Sequence, residues 1–502
     1  MQGEFRGDFT RDTHSPKKQF LRVLMQQGRV QLDADFNTQT AILLDYLQTL
    51  AMDLIGPYGG PVENVGFEIQ LDPNNPNQVQ DLTISPGRYY IEGLMCKNTK
   101  ENASYEKQPY LSVESDHDYP DLPFLVYLDV WERHVDASQD DTSEYGSIRE
   151  VALGGPDTAT RSQVIWQVKH TQQPLSDERL EEIAEFSDSS DSDEPGQPTS
   201  RPEAGDGSSN EDSEDSIFDK AAESLRTYKQ ALYAALADES PKIVTEESLV
   251  HLKARAKQNK DDDNDPCIIS PNARYKRHEN QLYRIEIHSD GDSPTFKWSR
   301  ENSAVVFPIV TASGAVITLE HLGNDSRFGL QENDWVEVVD DDYIYRNQPE
   351  NLLQVQHIDP VTQQVTLSGS PTGTTGSNPQ KHPYLRRWDH KAGNPSYGGS
   401  AIAPDGALPV EEKDAWQTLE DGIEIQFQPG GVYRPGDYWL IPARTATEDI
   451  EWPKDADNPD DPKALPPHGI RHYYAPLAII AVKDGSLQAI DCRHLFLPLL
   501  SR

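Results

Sequence analysis

A chain of 502 residues exceeds what one hydrophobic core ordinarily supports, so several packed units are expected. Its formal net charge of −39 repels phosphate backbones and anionic lipid heads, which argues against nucleic acid as a partner. A hydrophobic content of 35% with 37 Pro and 32 Gly favours turns over long helices, and no apolar run of about 18 residues marks a membrane span, so direct membrane insertion is not expected.

Residues 1–60 read as an N-terminal arm followed by an amphipathic helix. The opening Met1-Gln-Gly-Glu-Phe-Arg-Gly-Asp8 has neither the basic nor the apolar region of a secretory leader, so cytoplasmic synthesis is expected. A helix begins near Asp33, with Phe36, Leu43, Leu44, Leu47, Leu50, Ala51 and Leu54 at three-to-four-residue spacing. Asp33 or Asp35 is placed to cap its first amides, and Gly56-Pro57 ends it. Such a helix either covers a sheet or pairs with copies of itself, and covering a sheet is the expected use. In the pairing case the assembly interface is Phe36, Leu43, Leu44, Leu47 and Leu54.

Short apolar runs with turn punctuation then mark a β-rich domain over 61–170, including Phe124–Trp131 and Val164–Val168. Residues 171–216 are expected to be a disordered acidic insertion. Asp177 to Ser216 carry 15 acidic residues against two Arg, and Phe186 is the sole aromatic, too little apolar surface to offset ordering entropy of roughly 1–2 kcal/mol per residue. Its net −13 leaves −26 on the remainder, so the folded parts are acidic too. A helical connector follows over 217–265, with Phe218, Ala221, Leu225, Tyr228, Leu232 and Leu236 on one face.

Residues 266–380 read as a barrel-like β domain. In Leu282–His288, Tyr283, Ile285 and Ile287 point one way and Arg284, Glu286 and His288 the other, predicting one buried and one wet face. Residues 381–502 form a C-terminal β-rich domain, with strands at Ile423–Phe427 and Asp437–Ile441. The fold class is mainly β, α+β overall, with several antiparallel sandwich or barrel-like domains.

Each chemical motif has a plainer reading. Asp33-Ala-Asp-Phe-Asn37 starts like a calcium loop but has Thr38 at the sixth position and Leu44 at the twelfth, so it reads as a helix cap. Asp340-Asp-Asp342 alternates faces and reads as a solvated turn. Arg386-Arg-Trp-Asp-His390 reads as Arg stacked on Trp388, and Trp298-Ser-Arg-Glu-Asn302 as a strand end with an Arg300–Glu301 pair. Trp131, Trp166, Trp298 and Trp439 are expected in cores. Cys96, Cys267 and Cys492 are too scattered for a zinc module or disulfide scaffold. No catalytic, cofactor or metal site is expected. A hydrolase would need a pocket with two convergent carboxylates and a perturbed pKa.

The string Val23-Leu-Met-Gln-Gln-Gly-Arg-Val-Gln-Leu-Asp-Ala-Asp-Phe-Asn37 resembles the N-terminal signature of an uncharacterised bacterial family found in gene clusters for phage-tail-like contractile injection particles. The resemblance continues through Leu128–Arg133, Ala152–Arg161, Glu279–Arg284, Phe296–Asn302 and Asp437–Arg444. The first motif is also similar to the N-terminal region of some phage tail-fibre proteins. The resemblance implies a non-enzymatic structural subunit at the baseplate or fibre end, partnered by other particle subunits and forming a homo-oligomer, a trimer or hexamer. The particle is released from the cell or attached to a membrane through other subunits. A glycan-binding adhesin stays open as an alternative, and a polysaccharide hydrolase as a more distant one.

Overall fold

The computed structural model describes residues 3–72, 79, 81–101, 103–111, 119–140, 147–153, 158–190, 214–236, 249–257, 274–323, 325, 327–346, 348–393, 399–412, 416–459 and 461–497. The architecture is mainly β, with antiparallel sheets and a closed barrel. Two compact units form, each from separated stretches: residues 1–43, 132–163 and 244–471 in the first, and 44–131, 164–243 and 472–502 in the second. The units are thus interleaved along the chain, whereas the expected segments run consecutively.

In the first unit, the barrel joins Val306–Ser313, Val316–Leu319, Gln364–Leu367, Leu353–Asp359, Trp335–Val339 and Tyr384–Trp388, in that order. Its interior is apolar and mostly aliphatic, with Phe307, Ile317, Leu319, Val336, Val355, Val365 and Leu385 packed together. A five-stranded sheet runs in the order Leu408–Pro409, Thr295–Ser299, Gln281–Ser289, Tyr438–Arg444 and Asp449–Ile450. A three-stranded sheet joins Gln417–Thr418, Ile423–Phe427 and Leu252–Ala256. Tyr283, Ile285 and Ile287 pack with Ile423, Ile425 and Phe427, as their alternation predicts.

The other face of Gln281–Ser289 departs from expectation. Arg284, Glu286 and His288 are buried rather than wet: the N-terminal arm lies against the first two, as described below, and His288 sits among Lys297, Glu337, Asp405 and His390.

In the second unit, a four-stranded sheet runs in the order Ser486–Asp491, Tyr473–Lys483, Phe124–Val135 and Arg161–His170. Its two faces are both covered, and the pleat divides the side chains between them. Phe124, Val126, Leu128 and Val130 enter one core, while Leu125 and Tyr127 join the helices on the other side. Those helices are Asp177–Ser190, Glu214–Thr227 and Lys229–Leu236. The first corrects the expected disorder from 171 onward: Leu180 and Ile183, one turn apart, are buried, and Phe186 stacks edge-on to Tyr228 at 5.2 Å. Three apolar anchors on one face suffice to hold it despite its acidity. The rest of the expected insertion, 191–213, lies outside the described residues, as does Cys267. The connector forms two helices with a break at Tyr228.

Candidate functional site

Helix α1, Asp33–Ile55, carries five Leu and three Ala, good helix formers, and ends where Gly56 takes φ +91° and donates its N–H to Met52 O at 2.9 Å. The capping at its start differs from expectation. Asp33 accepts from the Thr10 amide at 2.8 Å and from the Thr10 hydroxyl, and so ties the arm to the helix instead of satisfying helix amides. Asp35 accepts from Leu32 N at 3.2 Å.

Only Ala34, Thr38 and Ile42 of α1 are buried, one stripe of mostly small side chains at four-residue spacing. The large side chains point outward: Phe36, Leu43, Leu44, Leu47 and Leu54 are between 49% and 61% exposed, and Tyr46 and Leu50 are exposed beside them. The preceding segment adds exposed Phe20, Leu21, Leu24, Met25, Val30 and Leu32. Exposed large apolar side chains are thus concentrated in residues 20–54. The buried stripe meets the arm, where the Thr38 and Thr13 hydroxyls bond, and the leucines stay outside. In the second unit, Gly93 lies directly under the helix: at φ +77°, a Cβ there would meet Gln48 O at 2.6 Å.

The arm is fastened in the first unit by main-chain and ionic contacts. Gly3 donates to Gly469 O at 3.1 Å, and the Tyr438 hydroxyl donates to Gly3 O at 2.8 Å. Asn302 Nδ2 donates to Phe5 O at 3.0 Å and Gly7 O at 2.9 Å, and Arg284 Nη1 donates to Phe5 O at 3.1 Å. Arg6 pairs with Glu4, pairs with Glu286 at 2.9 Å and donates to Ser303 Oγ at 2.8 Å. Behind it Arg284 pairs with Glu286 at 2.6 Å, and Lys297 and Arg386 pair with Glu337 at 2.5 and 3.4 Å. The Tyr343 hydroxyl and the Trp388 indole N–H also donate to Glu337.

All seven charged groups of this cluster are buried, so each carboxylate must be compensated to remain ionised. Burial raises the Glu4 carboxyl, but Arg6 and Arg386 outweigh it and hold it down at about 2. Glu337 is likewise raised by burial and held down at about 2 by Lys297 and Arg386. Burial pushes His134 down to about 3, which keeps it neutral beside the cations. The cluster therefore works as a latch for residues 3–7.

This latch was missed from sequence. The signal available was the run of charges alternating with core residues in Arg284–His288 and Phe296–Asn302, which a wet strand face also produces. The stacking expected of Arg386-Arg-Trp-Asp-His390 is changed in partner: Lys297 Nζ sits 4.5 Å from the Trp388 ring centre, while Arg386 lies over Tyr384 at 5.3 Å.

A second charged site is a cavity of about 400 Å³ in the first unit, lined among others by Lys276, Arg300, Glu301, Arg327, Arg387 and Asp389. Arg300 pairs with Asp389 at 2.9 Å and Glu420 at 2.6 Å, Arg327 with Glu301 at 3.3 Å, and Arg387 with Asp389 at 3.4 Å and Glu301 at 3.6 Å. The Arg300–Glu301 pairing read from sequence is thus replaced by cross-strand pairs. Burial pushes Glu301 up to about 7, reinforced by Asp389 and opposed by Arg387 and Arg327. Two carboxyls do converge here, one perturbed. However, Asp389 also accepts from the Arg300 amide at 2.9 Å and from Ser299 Oγ at 3.2 Å, so its oxygens are occupied. These pairs engage Arg300, Arg327 and Arg387, while the lining as a whole holds six Lys or Arg side chains against four carboxyls.

The remaining motifs are structural in placement. Asp340 and Asp341 are buried, which corrects the solvated-turn reading: Asp340 accepts from the Tyr343 and Gly376 amides at 2.9 Å each, and Asp341 pairs with Arg133 at 2.6 Å. These contacts start the short helix Asp341–Arg346 and fix it. Trp131, Trp166, Trp298 and Trp439 are all buried. Among the described residues, no helix is long and apolar enough to cross a membrane, and no group of three or more metal-ligating side chains gathers.

Residues 5–500 match the model of a family described as a family of unknown function, DUF6519. No curated protein matches the chain. A solved structure titled "Crystal structure of TssK" aligns with 81% of this chain and 99% of its own, at 8% identity and a TM-score of 0.17. A likeness of that size carries no argument.

Proposed function

The chain belongs to DUF6519, a family of unknown function, and on that premise we propose that it is a structural subunit of a phage-tail-like contractile injection particle, acting by homo-oligomeric assembly. The observation that carries the assembly reading is the outward apolar face of α1, where Phe36, Leu43, Leu44, Leu47 and Leu54 stay about half exposed or more. A polyanionic chain gains nothing from leaving that surface in water, and burying it against other subunits releases the cost. Placement at the baseplate or fibre end rests on the resemblance carried by Val23–Asn37 and the later motifs. The latch on residues 3–7 supports the reading, because it fixes the start of the arm that carries further exposed apolar residues.

The test is purification of particles from cells carrying either the wild-type chain or the Leu43→Asp, Leu47→Asp variant. The wild-type chain should copurify with sheath and tube proteins, and the variant should remain soluble, folded and outside the particle. A wild-type chain that never enters particles overturns the proposal.

A further inference from the structure

We infer that α1 associates with two copies of itself as a parallel, three-stranded coiled coil; this deepens the assembly reading and rests on it. From Phe36 the exposed positions run Thr40, Leu43, Leu47, Leu50 and Leu54, in steps of four, three, four, three and four residues. That is the 3.5-residue period of a coiled-coil seam sustained over the exposed helix. With Phe36, Leu43 and Leu50 assigned to d and Thr40, Leu47 and Leu54 to a, the buried Ala34, Thr38 and Ile42 fall at b, f and c. Those are the outward positions of a coil. The stripe buried within the chain and the face presented for pairing are therefore different faces.

Charge selects the same occupant. The seam from Phe36 to Leu54 carries no charged side chain, and α1 has no Lys or Arg at all. Its acids after the first turn, Asp45 and Asp53, sit at f and g, outside the seam. A chain with a net charge of −39 repels copies of itself over most of its surface, and this stripe is where that repulsion is least. Leu44 at e and Tyr46 at g, both exposed, widen the apolar face beyond the two columns a dimer covers, which points to three helices. Thr40 is a polar a layer, and such a layer is best matched with its own kind, as a parallel register does; an antiparallel pairing sets it near Leu50. The arm does not block the seam. Its Val23 amide donates to Gln39 Oε1 at 2.8 Å, at a flanking g position.

Disulfide trapping of the full chain tests this, since identical a residues meet on the axis only in a parallel coil. Cys96 and Cys492 are buried, and Cys267→Ser removes the third thiol from the background. Under mild oxidation Leu47→Cys should give cross-linked pairs, and Asp45→Cys, on the outer face, should give none. Light scattering of the wild-type chain should return three times 56.4 kDa. Two chain masses, or cross-linking confined to mixtures of Phe36→Cys with Leu54→Cys, overturns the parallel trimer. An oligomer whose mass is unaffected by Leu47→Asp, with no trapping at Leu47→Cys, overturns the coil while leaving the assembly reading intact. A chain that is monomeric and never enters particles removes both.

Discussion

Replacing Arg6 by Ala should release the N-terminal arm. The guanidinium is buried, pairs with Glu4 and Glu286, and donates to Ser303. Removing one member of a buried ion pair costs about 3–5 kcal/mol, because the partner stays buried without compensation. Glu286 retains Arg284 and Lys297, at 2.6 and 3.4 Å, so the lower end of that range applies. Glu4 loses its direct partner. A loss of about 3 kcal/mol corresponds to roughly 100-fold in the opening equilibrium. Hydrogen exchange by mass spectrometry on the peptide covering residues 3–11 reads that opening locally, without requiring the two units to unfold together. Exchange there should accelerate by about 100-fold in Arg6→Ala and by less in Arg6→Lys, while peptides of the barrel change little. Acceleration of less than threefold would mean that the cluster does not hold the arm.

Glu301→Gln should stabilise the chain at alkaline pH. The folded carboxyl titrates near 7 against an ordinary value of 4.5, so the fold favours its protonated form. That preference is intact below pH 4.5 and is lost as pH rises through 7, a difference of up to about 3 kcal/mol. Thermal melts should show the variant above wild type at pH 8 and level with it at pH 4; equal destabilisation at both would contradict the sign. Asp129 behaves oppositely. Burial raises its carboxyl, but His472 and Lys169, at 2.7 and 2.6 Å, hold it down at about 2. Its contribution is present above about pH 4 and lost as pH falls toward 2, so Asp129→Asn should cost about 2 kcal/mol at pH 7 and little at pH 2, read by urea titration. Gly93→Ala should cost about 3 kcal/mol, since it adds a backbone collision with Gln48 to an unfavourable φ, whereas Gly430→Ala, at φ +82° with open space around it, should cost about 1 kcal/mol. Equal costs at the two glycines would show that the contact beneath α1 is unimportant.

What was legible in the sequence was local. The strand Gln281–Ser289 is visible in the alternation of Tyr283, Ile285 and Ile287, and the end of α1 in Gly56-Pro57, because period and turn chemistry are written in neighbouring residues. Burial of Arg284 and Glu286 involves residues 3–7, nearly 280 positions away, and no local pattern distinguishes a charged face under an arm from one under water. Asp33 looked like a helix cap because its partner, Thr10, lies outside the window in which caps are sought. The helix Asp177–Ser190 was obscured by its acidity, although Leu180 and Ile183 carry the helical spacing that buries it. On α1 the large apolar residues define a stripe, but the pattern alone does not decide whether that stripe turns inward. Three-dimensional placement of Ala34, Thr38 and Ile42 decides it.

Assembly through the outward face of α1 is the proposal from which the rest follows. Sedimentation equilibrium of the intact chain over a range of concentrations, alongside the Leu43→Asp, Leu47→Asp variant, tests it most directly. Wild type should sediment as an oligomer, and the variant, with an unchanged circular dichroism spectrum, should sediment at 56.4 kDa. A wild-type chain that stays at the mass of one chain at every concentration would contradict it.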